Sequence, residues 1–427
     1  MSVVLVFAIF LALMFAGMPV VYSLGFVSLM FIGLVYQLPL SIIVERMIFG
    51  VNEFTFLAVP FFILAGNLMT VAGITQQLVT LSTALVGRTR GGLSHTTVVS
   101  CMIMSGMTGS DLADASATGS LLLPAMRRAG YPKSYGAAIV AAAATAGPII
   151  PPSIAFVIYG LLTNTSVAAL FVAGAIPGAV LGLYLILTGY LIARIRGFPK
   201  GSPVSAGEAV RAFGSALPAL IAPVIILGGI FTGVFTPTEA AAVAVVYVML
   251  VGKFVYRALS VAAARTVVIE SLKTSGAVMF IVAMSATFSW VVALEQLGPK
   301  VTELMTSLTS SPVVFLMLAN ILFLILGCVM ESIPIMLIFV PILFPAVKAY
   351  GIDPVHFGVV VTLNLTIGLS TPPFGLTMFL VCRMAGISMG EYVREYWPFC
   401  IALVACLFTI TLFPELVLFL PRLMLGR

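Results

Sequence analysis

Three carboxylates lie in stretches of sequence that are otherwise apolar: Asp111 and Asp114, three residues apart, and Glu331. An ionisable side chain at membrane depth is costly, and by default it faces a cavity, an ion or a charged partner. Hydroxyls gather beside the first pair at Ser105, Thr108 and Ser110, and others stand at Ser370 and Thr371. Hydroxyls and freed backbone carbonyls are neutral oxygen ligands, a set that suits Na+ at an interrupted helix. The chemistry they point to is ion-coupled movement of a solute. Each carboxylate can equally cap the N-terminus of a half-helix, and each hydroxyl a helix end. No Lys or Arg falls at these positions, so the charge of an anionic solute would be met by Na+, helix dipoles and hydroxyls.

Oxygen ligands of this kind require interrupted helices, and two proline pairs supply the interruptions. Gly147-Pro148-Ile149-Ile150-Pro151-Pro152-Ser153 sits inside an apolar run, with no charged residue between Lys133 and Arg194. Proline has no N–H and clashes with the preceding turn, so this segment cannot be continuous helix. In lipid such a break survives only where it lines a cavity or binds something. Gly368-Leu369-Ser370-Thr371-Pro372-Pro373 repeats the break at an offset of 221 residues. The same offset relates Gly106 to Gly327, Pro124-Ala125 to Pro345-Ala346, Arg127 to Lys348, Gly130 to Gly351 and Thr145 to Thr366. So many matches in one register read as an internal duplication. Interrupted apolar segments at matching places in two halves are a sequence pointer to a transporter's binding site.

Composition agrees. Of 427 residues, 61% are hydrophobic and 8% charged, and the mean hydropathy is +1.22. A soluble domain carries about a quarter charged residues, so this is a polytopic membrane protein. The net charge of +6 comes from basic residues scattered at the ends of apolar runs, where they set topology; it is no signal for nucleic acid. The five cysteines have no metal-like spacing and read as buried small hydrophobes. No signal-peptide cleavage site is expected after the first apolar run.

Along the chain, apolar segments at 2–17 and 20–37 precede an amphipathic surface helix over 38–53 and a long helical stretch over 54–87. Residues 95–130 are broken at 105–111, and their two arms of about fifteen residues, roughly 22 Å each, fall short of a ~30 Å hydrocarbon core. They read as a re-entrant hairpin with basic residues Arg127, Arg128 and Lys133 at its foot. Residues 311–351 form the second copy, with a tip at 327–334. Crossings are expected at about 167–193, 213–233, 237–252, 270–293 and 396–420. The Lys and Arg bias places 194–211 and 253–273 with the first hairpin's foot in the cytoplasm, so the second hairpin enters from outside and the C-terminus lies outside. His95 and His356 fall at hairpin feet as interfacial polar residues.

The fold expected is all-α and polytopic, an inverted repeat with two re-entrant hairpins and two broken helices. Two or more Na+ sites are expected. The ligands are Ser105, Thr108, Gly147, Ile150 and Pro151 in one half, and Gly327, Met330, Glu331, Gly368 and Thr371 in the other. Substrate contacts are expected at Ser110, Asp114, Thr145, Glu331 and Thr366. A channel and an intramembrane protease are the competing readings. A pore calls for rotational symmetry and a polar lining. A protease needs opposed carboxylates on different helices, whereas Asp111 and Asp114 share one hairpin.

Gly109-Ser110-x-x-Ala113-Asp114-Ala115, Pro124-Ala125-Met126 with Gly130-Tyr131, Ile150-Pro151-Pro152-Ser153 and Thr371-Pro372-Pro373-x-Gly375 resemble the large membrane subunit of tripartite ATP-independent periplasmic (TRAP) transporters, over essentially the whole chain. The resemblance implies an elevator-type, Na+-coupled secondary transporter of the ion-transporter superfamily in the bacterial inner membrane, and no enzyme. It implies scaffold elements at about 1–53 and 167–265 and moving elements at about 94–165 and 311–384. The implied partners are a small four-helix membrane subunit, here a separate polypeptide, a periplasmic substrate-binding protein, and an organic acid substrate. Asp111 departs from the family motif, which has a small or apolar residue there.

Overall fold

The computed structural model describes residues 2–201 and 204–426. Among them the regular elements are helical, apart from one isolated bridge between Arg90 and Lys200. The first half comprises α1 (Ser2–Phe15), α2 (Val20–Met30), α3 (Ser41–Val51), α4 (Ala58–Val71), α5 (Ile74–Val86), α6 (Gly92–Thr108), α7 (Asp111–Arg128), α8 (Lys133–Ala144), α9 (Ile154–Thr163) and α10 (Val167–Ile195). The second comprises α11 (Ala206–Phe231), α12 (Pro237–Leu250), α13 (Val261–Leu294), α14 (Leu297–Leu308), α15 (Pro312–Gly327), α16 (Ser332–Ala349), α17 (Pro354–Leu369), α18 (Leu376–Ala385), α19 (Met389–Leu412) and α20 (Glu415–Leu425). Seven helices among the described residues are long and apolar enough to cross a membrane, and the chain is a multi-pass membrane protein.

The duplication reaches well beyond residues 106–152. Asp111 and Ser332 open α7 and α16, and Lys133 and Pro354 open α8 and α17, each pair at the 221-residue offset. Near the start of each half a π-helical turn, Phe31–Val35 or Val251–Val255, is followed by a non-glycine residue with positive φ, Gln37 at 51° or Arg257 at 53°. Little sequence identity marks these parts, because apolar residues on a packed or lipid-facing helix exchange freely when volume and pattern are kept. The halves differ in one place. Where the first has α3, a 3-10 turn at Phe54–Leu57 and α4, the second has the single 34-residue helix α13.

Three expectations need correction. The stretch over 54–87 is two helices, α4 and α5, separated where Gly73 takes φ of 79°. The last crossing is α19, Met389–Leu412, and α20 is a separate short helix. The residue before Pro414, Phe413, has φ −117° and ψ 79°, a non-helical backbone that the proline ring favours in its predecessor. Finally, α14 lies between the crossing expected at 270–293 and the second hairpin, where the sequence pattern predicts no helix. The amphipathic segment over 38–53 does form a helix, α3, and none of its residues is buried.

Each hairpin, α6–α7 or α15–α16, packs on the first half of the broken helix in its own repeat, α8 or α17. The second arms then exchange partners: α7 lies against α18, and α16 against α9. The centre of this arrangement is built of small residues. Ala137, Ala138, Ala141, Ala142, Ala143 and Ala144 on α8 are all buried, and small side chains let helix backbones approach closely where lipid offers no hydrophobic drive between helices.

Candidate functional site

The first hairpin turns because Gly109 ends α6 in the left-handed conformation, with φ of 62°. Ser110 then becomes extended and caps α7, its side chain accepting from the Ala113 N–H. This turn brings Asp114, in the first turn of α7, back against the end of α6. Ser105 Oγ donates to Asp114 Oδ2 at 2.8 Å and Thr108 Oγ1 donates to Oδ1 at 2.6 Å. The two donors are three residues apart on one helix face, and Asp114 is 0% exposed. Ser105 Oγ also lies 2.6 Å from the Cys101 carbonyl oxygen, so a single hydroxyl proton faces two acceptors. A hydroxyl that donates to a carboxylate keeps its lone pairs free, so these bonds are compatible with ligation of a cation.

The glycine of each break lies against the hairpin tip of its own repeat. A Cβ on Gly147 would sit 2.8 Å from Asp111 N and 2.9 Å from Asp114 Oδ2, and one on Gly368 would sit 2.4 Å from Gly327 C. No side chain fits in either contact, which gives a physical reason for the Gly147/Gly368 match. In both breaks the Pro-Pro peptide, Pro151-Pro152 or Pro372-Pro373, is cis. The second tip is tied to its break by a backbone bond, the Phe374 N–H donating to the Cys328 carbonyl at 3.1 Å. The two repeats are also joined directly. Thr377 Oγ1 on α18 donates to Asp111 Oδ2 at 2.6 Å, and Ser370 Oγ donates to the Ala141 carbonyl at 3.3 Å.

Between the two tips lies a cavity of about 380 Å³, lined in part by Thr108, Ser110, Asp111, Glu331 and Thr366. Of the expected substrate contacts it gathers Ser110, Glu331 and Thr366, and of the expected Na+ ligands Thr108 and Glu331. Asp114 and Ser105 are fully buried and do not line it. Thr145 is also buried off the cavity, its hydroxyl donating to the Ala142 carbonyl at 2.7 Å. Ile150 points at α10, where a Cβ on Gly178 would lie 2.4 Å from its Cγ1, and the Pro151 carbonyl faces Gly106. Met330 is buried in the second tip. Thr371 donates to the Ile367 carbonyl at 2.7 Å.

Five polar lining residues were not singled out from sequence: Asn67, Ser116, Thr274, Ser332 and Thr362. Asn67 Nδ2 donates to Ser271 Oγ on α13 at 2.9 Å, which links α4 to α13 beside the cavity. A lone amide in the apolar helix Ala58–Val71 is a signal that could have found it. A larger cavity, about 620 Å³, lies at the foot of the first hairpin beside Arg127, Arg128 and Lys133, away from both tips.

The sequence profile of the tripartite ATP-independent periplasmic transporter, DctM component, matches residues 7–416. Over 416 residues the chain is 41% identical to the sialic acid TRAP transporter large permease protein SiaM of Vibrio cholerae, covering 97% of each. It is 42% identical over 371 residues to the C4-dicarboxylate TRAP transporter large permease protein DctM of Pseudomonas aeruginosa, covering 87% of each. Both are transporter permease subunits and not enzymes. The crystal structure of the Alcanivorax borkumensis YdaH transporter superposes with a TM-score of 0.66 at 14% identity, covering 90% of this chain and 89% of that one, a likeness of fold alone. With the profile spanning nearly its whole length, the chain belongs to the DctM component family of tripartite ATP-independent periplasmic transporters, as a large permease subunit.

Proposed function

We propose that this subunit imports an organic acid anion together with Na+ across the bacterial inner membrane. The observation that carries the reading is the cavity between the two hairpin tips, where Ser110, Asp111, Glu331 and Thr366 face one space at the breaks of both repeats. In this reading the hairpins are re-entrant and oppositely oriented. Two or more Na+ ions bind where each tip meets its break. One site draws on Ser105, Thr108 and the carbonyls around Gly147, Ile150 and Pro151. The other draws on Gly327, Met330, Glu331, Gly368 and Thr371. Hydroxyl lone pairs and uncapped carbonyls fit a hard monovalent cation. The relatives' printed substrates, sialic acid and C4-dicarboxylates, support an organic acid.

Movement follows from the packing exchange. Because α7 is held to α18 and α16 to α9, the hairpins and broken helices can travel as one body past the long helices, which is elevator transport. Moving elements at about 94–165 and 311–384 and scaffold at about 1–53 and 167–265 express that division. A small four-helix membrane subunit would brace the scaffold, and a periplasmic binding protein would deliver the solute.

Reconstitution tests the whole reading. Liposomes containing this subunit and the small subunit, given loaded binding protein and an inward Na+ gradient, should accumulate solute, and omission of any component should abolish uptake. Uptake by this subunit alone, or uptake indifferent to Na+, would overturn it.

A further inference from the structure

We propose that the cavity at the foot of the first hairpin binds the phosphate headgroup of an anionic phospholipid. Arg127, Arg128 and Lys133 hold the headgroup, and the start of an acyl chain lies against the apolar floor. The inference goes beyond the transport reading and is independent of what the central cavity carries.

This cavity, about 620 Å³, lies where α7 turns into α8 beside α18. Three basic side chains line it, and no Asp or Glu does. All three are exposed, and among the described residues none forms an ion pair. Glu391, within electrostatic reach of Lys133, is engaged by the Ser388 N–H and hydroxyl as part of the cap of α19. Helix stabilisation accounts for only part of this charge. Arg127 and Arg128 complement the C-terminal end of α7, but Lys133 opens α8, where the helix dipole disfavours a cation. No side chain caps α8 at Pro132, itself a lining residue, so free backbone N–H groups add to the positive end. The floor is apolar. Leu123, Met126, Met384 and Ala385 line it, and a Cβ on Gly119 would lie 3.0 Å from Met384 Cε. A cationic rim over an apolar wall matches a lipid phosphate and its first methylenes, whereas a free inorganic anion would need only the rim. The duplication offers a contrast. At the offset of 221, Arg127, Arg128, Pro132 and Lys133 become Lys348, Ala349, Asp353 and Pro354. The matching cavity there holds Asp353, Lys348 with its ammonium 4.9 Å from the Phe344 ring centroid, and Arg422 paired with Glu415. Of the two feet, only the one that the Lys and Arg bias assigns to the cytoplasmic leaflet carries an unpaired triplet of cations, and anionic lipids of that leaflet attract basic segments.

The test titrates the purified, delipidated full-length chain in nonionic detergent micelles with dioleoylphosphatidylglycerol, and separately with dioleoylphosphatidylcholine, and counts bound lipid by native mass spectrometry. Each Lys or Arg beside an anionic headgroup contributes about fivefold, so phosphatidylglycerol should bind about 100-fold more tightly than phosphatidylcholine. Arg127→Gln/Arg128→Gln/Lys133→Gln should bring the two lipids within about threefold of each other. Lys133→Gln alone, expected to cost about fivefold, serves if the triple variant does not fold. Lys253→Gln/Arg265→Gln/Lys273→Gln removes the same charge elsewhere and should leave the preference intact. Ser120→Trp keeps all three cations but fills the floor, and should weaken phosphatidylglycerol binding at least about fivefold. Equal binding of the two lipids, a preference that survives loss of the three cations, or one lost equally in the distant triple variant overturns the proposal. Displacement of the lipid by excess inorganic phosphate, or undiminished binding by Ser120→Trp, points to a free anion at the rim and overturns it as well.

Discussion

The two hairpin tips occupy matching places in the duplication and are made of different materials. At the first, Ser105, Thr108, Ser110 and Asp114 form a side-chain network. At the offset of 221 their counterparts are Leu326, Val329, Glu331 and Ile335. Only one of the four is polar in the second tip, and it bonds to nothing within its own helix cap. The second tip is held instead by backbone, through the Gly327–Gly368 approach and the bond from Phe374 to Cys328. Duplication therefore preserved the geometry, set by glycine and proline, and let the chemistry of the two tips diverge. An ion at the first tip would depend on side chains, and an ion at the second chiefly on carbonyls.

Substitutions can break that comparison. The largest effect is expected at Asp114→Asn, where an amide donor replaces one of two carboxylate oxygens that each accept from a buried hydroxyl. Charged-group hydrogen bonds contribute about 1.5–3 kcal/mol each, so Na+-driven uptake should fall about 100-fold at matched protein levels. Its counterpart Ile335→Ala should change uptake little. Equal losses at the two positions would show that the tips are not chemically distinct.

Next come the glycines, where the tips should behave alike. A Cβ at Gly368 or Gly147 meets backbone atoms at 2.4 Å and 2.8 Å, and overpacking typically costs about 1–3 kcal/mol. Gly368→Ala and Gly147→Ala should both lower the melting temperature in detergent, the former more. An unchanged melting temperature for both would discount the close tip-to-break contact.

The smallest effect sharpens the contrast through matched hydroxyl deletions. Thr108→Val removes a donor to Asp114, while Thr371→Val removes a donor to the Ile367 carbonyl. A lost hydrogen bond of about 1 kcal/mol corresponds to roughly fivefold in affinity. Half-maximal uptake should therefore need about five times more Na+ in Thr108→Val and a smaller increase in Thr371→Val. A larger shift in Thr371→Val would reverse the assignment of side-chain and carbonyl sites.

Much of this molecule could be read before folding was considered. Proline and glycine act on their own backbone, so the two breaks, the first turn at Gly109 and the register of the repeat follow from local covalent constraints. The hydropathy of the chain placed it in a bilayer by composition alone. The boundary at Phe413-Pro414 is less legible, because prolines such as Pro177 and Pro398 stay inside continuous helices of the same chain.

What tertiary structure alone decided is which groups meet. Asp111 finds Thr377 across 266 residues, and Asn67 finds Ser271 across 204, partnerships that no spacing rule contains. Thr145 and Thr366 match in sequence, yet Thr366 lines the cavity and Thr145 is buried away from it. The duplicated chain sets where each helix starts and stops, but the exchange of α7 onto α18 and α16 onto α9 determines which faces close around the cavity. That choice depends on packing between distant segments, a sum of many weak contacts that exists only once the two halves are assembled.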